Sequence, residues 1–153
     1  MAALRNANAL DAAQRAAEAA LKRGETQAAD ALFAELETAG SKKAAQAAKY
    51  RGAIAYMNAP QAALAHYQRA VGYAPEDRDA WNRVGVLNWR LGDIGAAEAA
   101  WARVRALGEQ AGDRETEAIA LGNLGLIART RGEPDKAEEG REPIYVQALG
   151  LRG

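Results

Sequence analysis

The chain has no cysteine and a single histidine, His66. Without thiols it forms no disulfide, no thiolate metal site and no cysteine nucleophile. One histidine with no second imidazole beside it offers no metal-ligand set. Aromatic residues are scarce, at 6% of the chain. Val, Ile and Thr are few and never run together, which excludes an extensive sheet. No charge of one sign prevails, because 20 Lys and Arg meet 20 Asp and Glu. A phosphate-binding surface rests on a basic excess, so nucleic acid is not the expected partner. No stretch reaches the roughly 18 apolar residues that span a membrane, so a membrane is not expected either. The opening Met1-Ala2-Ala3-Leu4-Arg5-Asn6 carries no apolar segment of the signal-peptide kind, and the expectation is a cytoplasmic protein.

What is present is helix-forming material. Apolar residues make up 49% of the 153 residues, and alanine alone supplies about a quarter of the chain. Alanine is the strongest helix former and packs closely, so the composition predicts an all-α protein of closely packed helices. Internal repetition organises them. Gly24, Gly92 and Gly132 each end a helical run and precede an acidic residue, in Lys22-Arg23-Gly24-Glu25, Arg90-Leu91-Gly92-Asp93 and Thr130-Arg131-Gly132-Glu133. Glycine ends a helix cheaply because it tolerates positive φ, and an acidic residue suits the start of the next helix. Each string therefore predicts a tight turn inside a helix hairpin.

The clearest unit reads Trp81-x-x-Val84-Gly85, a turn at Leu91-Gly92-Asp93, then Ala97-x-x-x-Trp101-x-x-Val104. Small Gly85 and Ala97 let two helices approach, while Trp81 and Trp101 are expected to fill the space between neighbouring hairpins. The unit before it carries Ala63-x-x-x-Tyr67-x-x-Ala70-Val71-x-Tyr73-x-Pro75, and Ala63 lies 34 positions before Ala97. A weaker unit has Ala29-x-x-x-Phe33-x-x-Leu36 after a first helix of roughly residues 7–23. A fourth opens with Leu121-Gly122-Asn123-Leu124-Gly125. This pattern and period resemble the tetratricopeptide repeat (TPR). Two positions depart from it: Arg51 stands where the family prefers leucine, and Asn88 where it commonly carries tyrosine. Gly85 and Gly125 are 40 positions apart, and the link Leu107–Asp113 looks like the longer subtype in which the helices gain extra turns. After Lys136-Ala137-Glu138-Glu139 the insertion Gly140-Arg141-Glu142-Pro143 predicts a break, because proline lacks an amide hydrogen and clashes with the preceding turn.

The resemblance implies a right-handed α-solenoid of about four TPR-like hairpins, the last one interrupted. It forms one repeat domain over residues 1–153 with units at about 10–43, 44–77, 78–111 and 118–151. It also implies a module that binds a peptide or helix of another protein in the concave groove, which the first helices line, and no enzyme. Groove positions fall on Gln14, Glu18, Leu21 and Lys22; on Lys49, Ala53, Tyr56 and Met57; on Asn82, Val86, Trp89 and Arg90; and on Gly122, Leu126 and Arg129. From these, Lys49, Tyr56, Asn82, Val86, Trp89, Arg90, Leu126 and Arg129 are the candidate partner-binding residues. Trp89 stands out as an aromatic on the groove side, since aromatics dominate interface energies; the competing reading is that it packs within its repeat. Arg83, Arg90 and Arg129 make a candidate strip for an acidic peptide, although charges on a helix face are commonly just a solvated surface. A carboxylate clamp of the kind some relatives carry is not expected, because Ala53 and Arg83 stand where its asparagines would be. No phosphate loop, no Ser/His/Asp set and no cofactor signature is present. The alternative function is a self-associating scaffold, a homo-oligomer joined through an uncapped last hairpin that exposes Ile144, Val146 and Leu149.

Overall fold

The computed structural model describes residues 7–39 and 43–132. Seven helices account for nearly all of them: α1 (Ala7–Lys22), α2 (Thr26–Thr38), α3 (Ala44–Ala55), α4 (Pro60–Tyr73), α5 (Arg78–Leu91), α6 (Ile94–Ala111) and α7 (Arg114–Thr130). The fold is all-α, as the alanine-rich composition requires, and no strand occurs among the described residues. The chain divides into two compact units, Met1–Pro75 and Glu76–Gly153. The expected break at Gly140–Pro143, the helix start at Lys136–Ala137 and the apolar residues Ile144, Val146 and Leu149 lie outside the described residues.

In the first unit α1 packs on α2, α2 on α3 and α3 on α4. Leu10, Ala17, Ala20, Ala29, Phe33, Leu36 and Ala47 form its core, with Tyr50 packed against it. The Phe33 and Tyr50 rings stack at 4.5 Å between centroids. Gly52 is there because Tyr67 lies over it: a Cβ at position 52 would sit 2.6 Å from Tyr67 Cε2. Gly24 closes α1 at φ 77°, with the Glu25 amide donating to the Ala20 carbonyl at 2.9 Å. None of the residues preceding α2, α3 and α4 (Glu25, Lys43, Ala59) caps its helix with a side-chain hydrogen bond.

The described part of the second unit holds α5, α6 and α7, again packed in sequence. Here every helix has an aspartate cap. Asp77, Asp93 and Asp113 accept from the amides of Ala80, Ala96 and Thr116 at 3.0, 3.0 and 3.1 Å. Two of these aspartates do double duty. The Asp93 amide donates to the Asn88 carbonyl and the Asp113 amide to the Gly108 carbonyl, both at 2.9 Å, which closes the previous helix through left-handed Gly92 and Gly112. One residue thus satisfies the orphan groups of two helix ends. Helices α6 and α7 run to 18 and 17 residues, against 14 for α5, so the last four residues of α6, 108–111, are extra helix.

Gly85 repeats the role of Gly52. A Cβ there would collide with the indole of Trp101, which is fully buried. This corrects the expectation for Trp101, which lies across α5 inside its own hairpin. Asn88, where a tyrosine is usual, is buried and turns its amide back to the Val84 carbonyl at 3.0 Å.

Candidate protein-interaction face

The first helices of the hairpins, α1 and α3 in one unit and α5 and α7 in the other, carry the expected groove positions. Lys49 and Tyr56 belong to the first unit, and the other six candidates to the second. The two units treat these positions differently.

On α1 and α3 the polar side chains satisfy one another. Lys43 pairs with Asp11 at 2.9 Å and donates to Gln14 Oε1 at 2.7 Å. Gln14 Nε2 donates to Glu18 at 2.8 Å, and the Tyr50 hydroxyl reaches the same carboxylate oxygen at 3.4 Å. The hydrogen bond from Lys43 and its charge hold the Asp11 carboxyl below the ordinary carboxylate value. Burial, then the Glu18 charge, pushes the Tyr50 hydroxyl up. Lys49 and Tyr56 are half-buried on α3 and at its C-cap, and the adjoining Met57 is 75% exposed.

On α5 and α7 a cleft of about 230 Å³ remains open. Arg78, Asp79 and Asn82 line it from α5, Thr116 and Ile119 from α7, and Val104 from α6, with the Asp113 cap at its edge. Arg78 and Asp113 bridge the two helices at 2.8 Å. Hydrogen bonds from the Thr116 side chain and amide, with Arg78 adding to them, hold the Asp113 carboxyl low. Asn82 is oriented by its neighbours. The Trp101 indole, which can only donate, gives its hydrogen to Asn82 Oδ1 at 3.0 Å, and Asn123 Nδ2 approaches the same oxygen at 3.5 Å. With its oxygen committed inward, Asn82 is left with its NH₂ group for the cleft. Asn123 is fully buried and its Oδ1 has no partner.

Towards the other end of this unit, Trp89 and Leu126 are half-buried, and Arg90 and Arg129 are exposed. Trp89 tilts against Trp101 with centroids 6.2 Å apart, so part of its ring serves the core. Val86 does not offer a surface. It is 1% exposed, because residues 84–88 of α5 are all buried and the middle of the helix is covered on every side.

One cluster had no sequence signal strong enough to find it. Glu37 of α2 is 5% exposed and accepts from Arg51 of α3 at 3.0 Å, from Tyr73 of α4 at 3.1 Å and from Arg69 of α4. Arg51 also pairs with Asp30 at 2.9 Å, and Arg69 donates to His66 Nδ1. Burial raises the Glu37 carboxyl, but the two arginines outweigh it and the pKa falls below its ordinary value. Burial, and then Arg51 and Arg69, push the His66 imidazole down. The cluster explains the departure at Arg51: an arginine stands at the leucine position and ties α3 to α2 through Asp30 and Glu37. Among the described residues no group of three or more His, Cys, Asp or Glu could hold a metal ion, and no helix is long and apolar enough to cross a membrane.

No curated protein matches the chain significantly. Residues 77–139 match the family model described as Tetratricopeptide repeat, a match that starts on the Asp77 cap of α5 and lies wholly in the second unit. Repeats of this family generally mediate protein–protein interaction, using the extended surfaces that stacked hairpins create. The hairpin periodicity, the helix-packing glycines and this match together make the chain a TPR-containing protein.

Proposed function

We propose that this protein holds a segment of another protein, and that the α5/α7 face of the second unit is where it does so. The observation that carries this reading is the open cleft between α5 and α7, continued by the half-buried Trp89 and Leu126 and the exposed Arg90 and Arg129. Trp89 and Leu126 supply apolar area for an anchor residue, and aromatic anchors of this kind carry much of the energy of interfaces. Arg90 and Arg129 supply charge at the rim, which favours association rate and orientation over raw affinity. Lys49 and Tyr56 form a secondary contact in the first unit.

The test is capture of partners from the native host by the wild-type chain and by Trp89→Ala and Arg90→Glu. A discrete partner lost with both variants supports the reading. Retention of every captured protein by both, with helicity unchanged, contradicts it. Arg90 is exposed, so its substitution keeps the test informative even where Trp89→Ala loosens the packing on Trp101.

A further inference from the structure

Helices α2 and α4 are the second helices of the first unit's two hairpins. They share little backbone packing of their own, and both pack on α3. Side chains join them. Glu37 of α2 accepts from Arg69 and Tyr73 of α4, and Arg69 also donates to His66, three positions earlier on α4. A guanidinium carries donors only. The imidazole nitrogen that meets it, Nδ1, is therefore an acceptor, which fixes His66 as the neutral tautomer with its hydrogen on Nε2. A proton on Nδ1 would set two donors and two positive charges against each other. His66 has another carboxylate within its surroundings. It lines an open cleft of about 270 Å³ together with Asp30 of α2 and Arg51 and Ile54 of α3. Asp30 gives Oδ1 to Arg51, which leaves Oδ2 for an imidazolium.

We propose that His66 is a proton-operated latch on this clasp: when neutral it holds Arg69 against Glu37, and when protonated it turns to Asp30 in the cleft, releases Arg69 and loosens α4 from α2. The charged groups that face His66 are Asp30 and Glu37 from α2, Arg51 from α3 and Arg69 from α4, with the Tyr73 hydroxyl on the far side of Glu37. Burial, then Arg51 and Arg69, hold the imidazole below its ordinary 6.5, against the pull of Asp30 and Glu37. The latch therefore turns below pH 6.5, as the charged form becomes populated. Burial raises the Glu37 carboxyl, but the arginines hold it below its ordinary 4.5, so between pH 4.5 and 6.5 it stays ionised. In that window Arg69 changes partner while Arg51 and Tyr73 remain on Glu37. In stacked hairpins a small rotation per repeat sets the curvature of the array. The α2–α4 clasp fixes that rotation for the first two hairpins, and the latch makes it respond to acid. It lies in the first unit and works whether or not α5 and α7 bind a partner.

The test uses the full chain, whose single histidine and lack of cysteine give two unambiguous readouts. Nitrogen NMR of the imidazole reports its tautomer and titration. Spin labels on Glu35→Cys of α2 and Gln68→Cys of α4, both at exposed positions, report the distance between the helices. The expected result at about pH 7.5 is a hydrogen on Nε2 and one distance; towards about pH 5 a second, longer distance appears, and its fraction follows the His66 titration. His66→Gln, which can accept from Arg69 but takes no proton, keeps the single distance throughout. Arg69→Gln removes a facing cation, so it raises the titration midpoint of His66 and shows the longer distance at both pH values. Circular dichroism confirms that each variant folds, and the wild-type and His66→Gln results decide the matter even where Arg69→Gln does not. A hydrogen on Nδ1 at neutral pH, a distance that ignores the His66 titration, or the same acid response in His66→Gln overturns the inference.

Discussion

The two units reach similar helix hairpins by different means. In each, a large aromatic lies on a glycine of the facing helix, Tyr67 on Gly52 and Trp101 on Gly85. Around that shared contact the second unit relies on local devices, with three aspartate caps and three left-handed glycines, Gly92, Gly112 and Gly132, at the helix ends. The first unit has no side-chain cap on α2, α3 or α4 and relies on a long-range one, Glu37 joined to Arg51 and Arg69. Local devices leave a signature in adjacent residues, whereas long-range ones leave almost none. The family match accordingly covers the second unit and stops short of the first.

Removal of the shared contact should have the largest effect. Trp101→Ala empties a fully buried site and should cost ~3–5 kcal/mol in urea unfolding, while Tyr67→Ala, at the equivalent place, should cost somewhat less because that ring is smaller. If the two losses prove unequal in the opposite sense, the glycine–aromatic contact is not the common element of the units. Next comes the cluster peculiar to the first unit. Glu37→Ala leaves two half-exposed arginines without their shared acceptor and should cost about 1–3 kcal/mol. Glu37→Gln should cost less, since it keeps the packing.

Capping should be a smaller effect and can be moved from one unit to the other. Asp93→Ala removes a cap and should lower stability by ~1 kcal/mol. Ala59→Asp, placed before Pro60 at a non-helical N-cap position, should add a cap to α4 and raise stability by up to ~1 kcal/mol. No gain from Ala59→Asp would mean that the first unit lacks caps for a reason other than sequence choice.

The smallest effect is the pH response. The folded pKa of His66 lies below its ordinary 6.5, so folding favours the neutral imidazole. Its contribution is fully present above pH 6.5 and is lost as pH falls through the lower folded value. The Glu37 carboxyl is also held low, and its contribution goes at still more acidic pH, below 4.5. The only histidine lies in the first unit, so the protection factors of its amides, corrected for the slower intrinsic exchange in acid, should fall between neutral and mildly acidic pH before those of α5–α7 do. His66→Gln should flatten that difference.

The hairpin turns, the helix-packing glycines and the extra turn of α6 were legible because each is specified within a few residues: Leu91-Gly92-Asp93 spells out a helix end and the next helix start. The Trp101 contact was legible as a large residue on a helix but not as to which side it packs, since Gly85 alone reveals the space it needs. Val86 was misleading as a surface candidate. Helical spacing places it with Asn82 and Trp89, yet the middle of α5 is covered all round. The Glu37 cluster was illegible because its partners lie 14 and 32 positions away. The only trace was an arginine at a leucine position. The orientation of Asn82 depends on Trp101, 19 positions on, and follows only from donor and acceptor accounting in three dimensions.

Binding at the α5/α7 face is tested most directly by a photo-reactive benzoylphenylalanine placed in turn at position 129 of α7, at position 90 of α5 and at the exposed position 102 of α6. The account predicts that probes at 90 and 129 cross-link the same partner and that the probe at 102 does not. Equal cross-linking from position 102, or none from 90 and 129 to a partner that the chain retains, would contradict it.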